Sequence, residues 1–546
     1  MIRSARRVVP APVWLIVALY LLVAVCQSAV FPNFRSPDER EHIDLVAAVA
    51  VGDAWPWPDP GTFDLATGSA AGGFTVSGRI VAPLHLADRQ LPMRVDRESY
   101  REAGGADRVD QRYNQLIQHP PLYYVLAAGL LSVYPDWPDA PFDRLVLLLR
   151  LFGALLTSAV PVLLWAVARR LTLPDPLPVA AALVPLAVPQ FTQLASTVNN
   201  DALLVLLVAV LTLLLTRVIT GDTGFRTALA VGVLTSLALL TKGFALLIPA
   251  WIALVYLVAV LRLRRPMALW SLAVGALATV PGMLWWVRNV VLYGTLQPNG
   301  VLESRPDLSA RYGWSDGGGQ WLLALLERFV TLFFVNDQTG LRERNAPWWL
   351  AWSAFAVAAV AVLAVLVLRS LPLAHTVVLL LPVVGLAAIV ALGSWSAFAY
   401  SLAYQGMQGR YLFGGLVGLG VVVVAAATRL PERVRAAVPL ALFGFAVLFQ
   451  LVYLHYIVGQ FWVPSAATGL TAARQTIVGI FSWYALPPEF LAPVVIATLA
   501  VCLALLVTLV RVAGHRGEGP PDLDRGAAAS DPPDRFDASA PEPLVG

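Results

Sequence analysis

The chain has 546 residues, is 58% hydrophobic and has a mean hydropathy of +0.71, the profile of a polytopic helical membrane protein. Its net charge of +4 carries no nucleic-acid signature, so no nucleic-acid partner is expected. The two cysteines, Cys26 and Cys502, sit in apolar stretches far apart, which excludes a disulfide framework.

Residues 1–11 carry Arg3, Arg6 and Arg7 and are expected in the cytoplasm. Runs near the ~20 residues that span a bilayer follow at 12–31, 143–168, 177–197, 201–219, 226–241, 243–261, 266–287, 348–368, 373–392, 411–428, 437–458 and 490–511. The first run exceeds a usual signal h-region and has no A-x-A-like site behind it, so it reads as a retained span. With the N-terminus inside, every second span ends in arginine: Arg169/Arg170, Arg217/Arg226, Arg262/Arg264/Arg265, Arg369, Arg429/Arg433/Arg435 and Arg511/Arg516. The pattern predicts an all-α membrane domain over 12–511 with about twelve crossings and both termini cytoplasmic. Segments 120–135 and 320–335 are apolar but cannot cross without inverting the arginines, so they are expected to be re-entrant or interfacial. The outer segments are 32–118, 288–347, 393–410 and 459–489. The first, rich in Gly, Pro and Asp, should be irregular with short juxtamembrane helices. Residues 512–546, rich in Pro, Asp and Ala, should form a disordered cytoplasmic tail.

Polar residues gather at the outer ends of the spans. They are Asp38, Glu39 and His42; His119, Tyr123 and Tyr124 around "QHPPLYY"; Asn199, Asn200 and Asp201 in "VNND"; Lys242 in "TKG"; Arg288 and Tyr293 in "WWVRNVVLYG"; and Arg410 and Tyr411 in "QGRYLF". Lys242 is the sole lysine in a chain whose other basic residues are arginine, as in a high-GC genome. A charge at mid-span costs roughly 2.5–3.5 kcal/mol and less at the interface. The shared side therefore suggests one site holding both carboxylates and cations. Blander roles exist for each residue. Asp201 could cap the helix that follows, Lys242 could snorkel, Arg288 and Arg410 could anchor at the interface, and "PPLYY" could belong to an aromatic belt. In "FRSPDEREHIDL", a helix beginning after Pro37 puts Asp38, Glu39 and His42 along its buried face. Arg40 and Asp44, with Glu41 beside them, then form a solvated set on the other side. A divalent ion (Mg or Mn) on Asp38, His42, His119 and Asp201 is a weaker alternative, and the chain lacks the GxxxxGK[ST] loop of an ATP-driven pump.

In their order along residues 12–430, these motifs resemble the bacterial membrane family filed as domain of unknown function 2142. That family is similar to the GT-C glycosyltransferases, polyprenyl-phosphate-sugar-dependent enzymes that include protein mannosyltransferases and aminoarabinose transferases. The resemblance implies a GT-C-like bundle in a bacterial inner or plasma membrane. It also implies an active site on the extracytoplasmic face, a polyprenyl-phosphate-linked sugar as donor, and a carboxylate of the first outer loop as general base. A phosphate leaves as a stable anion, so a base and phosphate-holding cations suffice. On this reading Asp38 is the base with Glu39 as its substitute, and Lys242 and Arg410 clamp the phosphate. His42, His119, Tyr123, Asn200, Asp201, Arg288, Tyr293 and Tyr411 would contact substrate. A single displacement would invert the anomeric carbon. The acceptor would be an extracytoplasmic glycan, lipid or protein. Two other classes stay open: a flippase of a lipid-linked saccharide, which would bind near the bilayer midplane, and a non-catalytic subunit of an envelope-polymer assembly machine.

Overall fold

The computed structural model describes residues 9–51, 94–102, 114–297, 310–335 and 347–515. Most of the irregular outer loop expected over 32–118, and the tail beyond residue 515, lie outside the described residues. The described residues are helical apart from turns and one isolated bridge between Ser99 and Pro141.

Among the described residues, ten helices or helix runs are long and apolar enough to cross a membrane. The first, α1 (Ala11–Val30), is followed by the juxtamembrane helix α2 (Glu39–Ala50) and the short apolar α3 (Leu122–Ser132). One span of 29 residues joins α4 (Phe142–Thr157) to α5 (Val160–Arg170). Its break coincides with Pro161, which sits in the first turn of α5 where its missing N–H is not needed. Next come α6 (Leu177–Leu183) and α7 (Pro189–Ala195), bent against each other by 71° around Pro185 and Pro189. Then follow α8 (Asp201–Ile219), α9 (Phe225–Leu239), α10 (Ile248–Leu263) and α11 (Met267–Tyr293). The second half holds α12 (Gly318–Phe334), α13 (Trp348–Leu368), α14 (Leu373–Ser401), α15 (Leu416–Ala425), α16 (Glu432–Phe461), α17 (Gly469–Trp483) and α18 (Pro488–His515).

Two of the expected spans differ. The run at 226–241 gives only the 15 residues of α9, about 22 Å of helix against a hydrocarbon core of ~30 Å. The helix stops there because Thr241–Gly243 turns the chain and Lys242 takes an extended backbone. The run at 177–197 is the bent pair α6–α7 rather than a straight crossing. Segments 120–135 and 320–335 are helical as α3 and α12, of 11 and 17 residues. Helix α17 lies within segment 459–489.

Packing forms two buried layers. One centres on α1, α5, α6, α7, α15 and α16, the other on α2, α3, α4 and α8 to α11. Helices α9 and α11 approach so closely that a Cβ at Gly232 would strike the Gly275 carbonyl, the small-residue contact that membrane helices use. Two arginines at positions 94 and 97 tie to the C-terminal part of the chain. Arg97 Nη2 donates to Ser482 O at 2.6 Å and Arg94 Nε to Tyr484 O at 3.1 Å, at the negative end of α17. Arg97 is also paired with Asp143 at the start of α4. These ties fix Arg94 and Arg97 against the end of α17 and the start of α4.

Candidate active site

The acidic stretch after α1 is placed by an arginine from another span. Arg150, in α4, is buried and donates from Nη1 to Ser28 O (2.8 Å) and Phe31 O (2.7 Å), and from Nη2 to Pro32 O (3.2 Å). It thereby satisfies carbonyls that the end of α1 leaves without helical partners. Its other edge grips Glu39, with Nε to Oε1 at 2.8 Å and Nη2 to Oε2 at 2.7 Å. Phe34 N and Val198 N donate to the same carboxylate at 2.9 and 3.1 Å. Glu39 is 0% exposed, and both its oxygens are occupied. That setting suits a structural anchor and not a group that must meet substrate.

Asp38 differs in each respect. It precedes α2 in the left-handed region, at φ 58°, and its side chain is 28% exposed. Aspartate is one of the few non-glycine residues that enters this region readily, because its short side chain can hydrogen-bond locally. Its Oδ2 accepts from Arg410 Nη2 at 2.8 Å. A second ion pair lies beside it: Lys242 Nζ donates to Asp201 Oδ1 at 2.6 Å. The Tyr411 ring joins the two. Lys242 Nζ stands 5.3 Å and Arg410 Cζ 5.4 Å from its centroid, within cation–π range. Phe244 packs on the same ring at 4.9 Å. Lys242 and Arg410 are both buried, so neither cation is a snorkelling surface group.

A buried aromatic wall backs these pairs. His42 Nδ1 and Tyr124 Oη are hydrogen-bonded at 3.0 Å, and the rings of His42 and His119 stack at 6.4 Å. Tyr123 meets His42 edge-on. His119 Nδ1 is buried without a hydrogen-bond partner among the described residues. Burial, with the nearby Lys242 charge, pushes His119 down to about 3. Burial and the neighbouring His119 hold His42 well below its ordinary range. Both imidazoles are therefore neutral near pH 7. Asn200 is buried and donates to Thr241 O at 3.3 Å, which ties the start of α8 to the Lys242 turn.

The structure brings Asp38, His42, His119, Tyr123, Asn200, Asp201, Lys242, Arg410 and Tyr411 into one cluster. Arg288 and Tyr293 stand together at the end of α11, where the guanidinium lies over the rings of Trp285 and Tyr293 at 5.5 and 5.9 Å. The capping role considered for Asp201 belongs to Asn199, whose Oδ1 accepts from Ala202 N at 3.0 Å. The solvated set on α2 also needs correction. Asp44 is 1% exposed and accepts from Asn114 Nδ2 at 2.9 Å, while Arg40 pairs with Glu41 at 3.5 Å. The chain at Asn114 covers the face that would otherwise meet water. Among the described residues no three His, Cys, Asp or Glu side chains come together as a metal cage, and Asp38 and Asp201 each face a cation instead. Two residues of consequence escaped the sequence reading. Arg150 had a signal, a lone arginine in "LVLLLRLFGALL"; Asn114 had none.

Residues 118–286 match the family model of dolichyl-phosphate-mannose-protein mannosyltransferases. The matched stretch carries His119, Tyr123, Asn200, Asp201 and Lys242. No curated protein matches the chain. Among solved structures, the chain is similar to ArnT from Cupriavidus metallidurans in the apo state, at 16% identity and a TM-score of 0.36, covering 87% of this chain and 77% of that one. The same protein bound to undecaprenyl phosphate gives 14% identity and a TM-score of 0.34, covering 86% and 77%. The archaeal oligosaccharyltransferase AglB from Archaeoglobus fulgidus, in complex with an inhibitory peptide and a dolichol-phosphate, gives 13% identity and a TM-score of 0.37, covering 86% of this chain but 56% of that one.

Proposed function

We propose that this chain is an integral-membrane glycosyltransferase of GT-C-like architecture, moving a sugar from a polyprenyl-phosphate donor to a hydroxyl of an extracytoplasmic glycan, lipid or protein. The observation that carries the reading is the double pairing of Asp38 with Arg410 and Asp201 with Lys242 on either side of Tyr411. The mannosyltransferase family match over 118–286 supports the donor class. The four charged groups stand at ends of helices, beside α2, α8, α9 and the turn before α15, and not at a midplane, which supports a transferase over a flippase. The arginine distribution supports placing this end outside the cytoplasm.

In this mechanism the donor phosphate competes with the two carboxylates for Arg410 and Lys242. Arg410 binds two phosphate oxygens in its planar fork and Lys242 supplies a point charge. Asp38, relieved of part of its cation, accepts the proton of the acceptor hydroxyl. The acceptor oxygen bonds to the anomeric carbon as the bond from that carbon to the phosphate oxygen breaks. The electron pair stays on the phosphate, where the two cations stabilise it. One such displacement inverts the anomeric carbon. Glu39, locked to Arg150, holds Asp38 in place rather than replacing it. The test is Asp38→Asn assayed with a polyprenyl-phosphate sugar. Transfer should vanish while the yield of folded protein holds. Full activity in the variant overturns Asp38 as base.

A further inference from the structure

A cavity of about 690 Å³ lies at the other end of the bundle. Its wall is built by four turns, and it includes Arg170, Thr220, Ser370, His375 and Arg429. Two spans connect it to the cluster. Helix α8 begins at Asp201 and ends one residue before Thr220, so the two regions are about 28 Å apart along that helix. The span Gly409–Arg429 carries Arg410 at its start and Arg429 at its end. The cavity is therefore separate from the candidate active site.

Its chemistry is that of an anion site. Arg170 Nε donates to Thr220 Oγ1 at 2.6 Å, which fixes one guanidinium at the rim. Arg429 Nη2 donates to Leu368 O and Arg369 O at 2.9 and 3.2 Å, which fixes the second guanidinium in the lining. Each bond uses part of a five-donor group. The Ser370 hydroxyl oxygen in the wall is buried without a hydrogen-bond partner, an unusual state for a buried polar group. His375 adds an imidazole to the wall. Two nearby acids are paired elsewhere, Asp175 with Arg169 at 2.7 Å and Asp222 with Arg217 at 2.5 Å, and Glu432 opens α16 three residues after Arg429. Two preset guanidinium groups and an unsatisfied hydroxyl, in a space of ligand size, match a phosphate oxyanion.

We infer that this cavity binds an anionic phosphate headgroup at the face opposite the proposed transferase site. The bound phosphate accepts from Arg170 and Arg429, next to Ser370 in the wall. Its source is either an anionic phospholipid, as in the basic pockets between membrane helices, or a soluble phosphoester. The inference does not depend on the transferase reading.

The experiment is native mass spectrometry of the purified full-length chain in detergent, with phosphatidylglycerol, phosphatidylcholine or glycerol phosphate added. Parent protein should retain phosphatidylglycerol over phosphatidylcholine, and R170Q/R429Q should weaken retention about tenfold or more. Binding of glycerol phosphate alone, with the same sensitivity to R170Q/R429Q, assigns the site to a soluble phosphoester and upholds the phosphate chemistry. R429Q alone serves if the double variant is not monodisperse. R474Q, on α17, should retain lipid as the parent does. Equal retention of both lipids without glycerol phosphate binding, or undiminished retention in R170Q/R429Q, overturns the site.

Discussion

Glu39 and Arg150 stand 111 residues apart in sequence and meet in a two-pronged ion pair, at 2.8 and 2.7 Å, with side chains 0% and 1% exposed. Removing one partner would leave a buried charge uncompensated, which costs about 3–5 kcal/mol. Arg150→Met should therefore lower the thermal midpoint sharply and reduce the yield of folded protein. Glu39→Gln with Arg150→Met should recover much of that loss, because neither residual group is charged. Thermal unfolding in detergent separates the two outcomes. A single variant as stable as the parent would show that the pair is not an anchor.

The spans were legible because their signal is long: an apolar run of some twenty residues with an arginine at every second turn survives local error. The polar cluster was legible for a related reason, since Asp38, Asp201, Lys242 and Arg410 interrupt apolar context at one set of helix ends. What the sequence withheld was partnership. Periodicity gave α2 an inner and an outer face, yet both are covered, because Asn114 arrives from a distant loop to meet Asp44. Likewise, Asp38 and Glu39 are adjacent acids in sequence but face different partners, since the left-handed turn at Asp38 divides them. The shortness of α9 was hidden because a hydropathy window cannot see where Lys242 turns the backbone.

The buried imidazoles predict acid sensitivity. His119 titrates at about 3 in the fold and near its ordinary value of 6.5 when unfolded. Below 6.5 the unfolded chain binds a proton that the fold does not. Stability is thus complete above that value and falls as the pH drops towards 3, by about 1.4 kcal/mol per unit for one histidine. His42 is shifted in the same direction and adds to the slope. His119→Gln should flatten the fall in thermal midpoint between neutral and mildly acidic buffer. An unchanged slope would place the pH dependence elsewhere.

Gly409 sets the position of Arg410. A Cβ there would run into the backbone of Phe333 and Leu332 in α12. Gly409→Ala should push the turn off α12 and pull Arg410 from Asp38, with transfer falling about 100-fold or more through misplacement alone. A helical spectrum like the parent's with low transfer is the expected pair of results. Undiminished transfer would show that Arg410 tolerates displacement.

The two ion contacts of the acidic stretch also impose an order of assembly. Glu39 finds its partner when α4 enters the membrane, 111 residues later. Asp38 waits 372 residues for Arg410, until most of the bundle is in place. A nascent chain ending before Gly409 would already hold the acidic stretch against α4, with the Asp38 carboxylate still lacking the guanidinium that faces it in the finished fold. The contact between Asp38 and Arg410 would therefore form only after 410 of the 546 residues have been made, with α15 to α18 still to join the bundle.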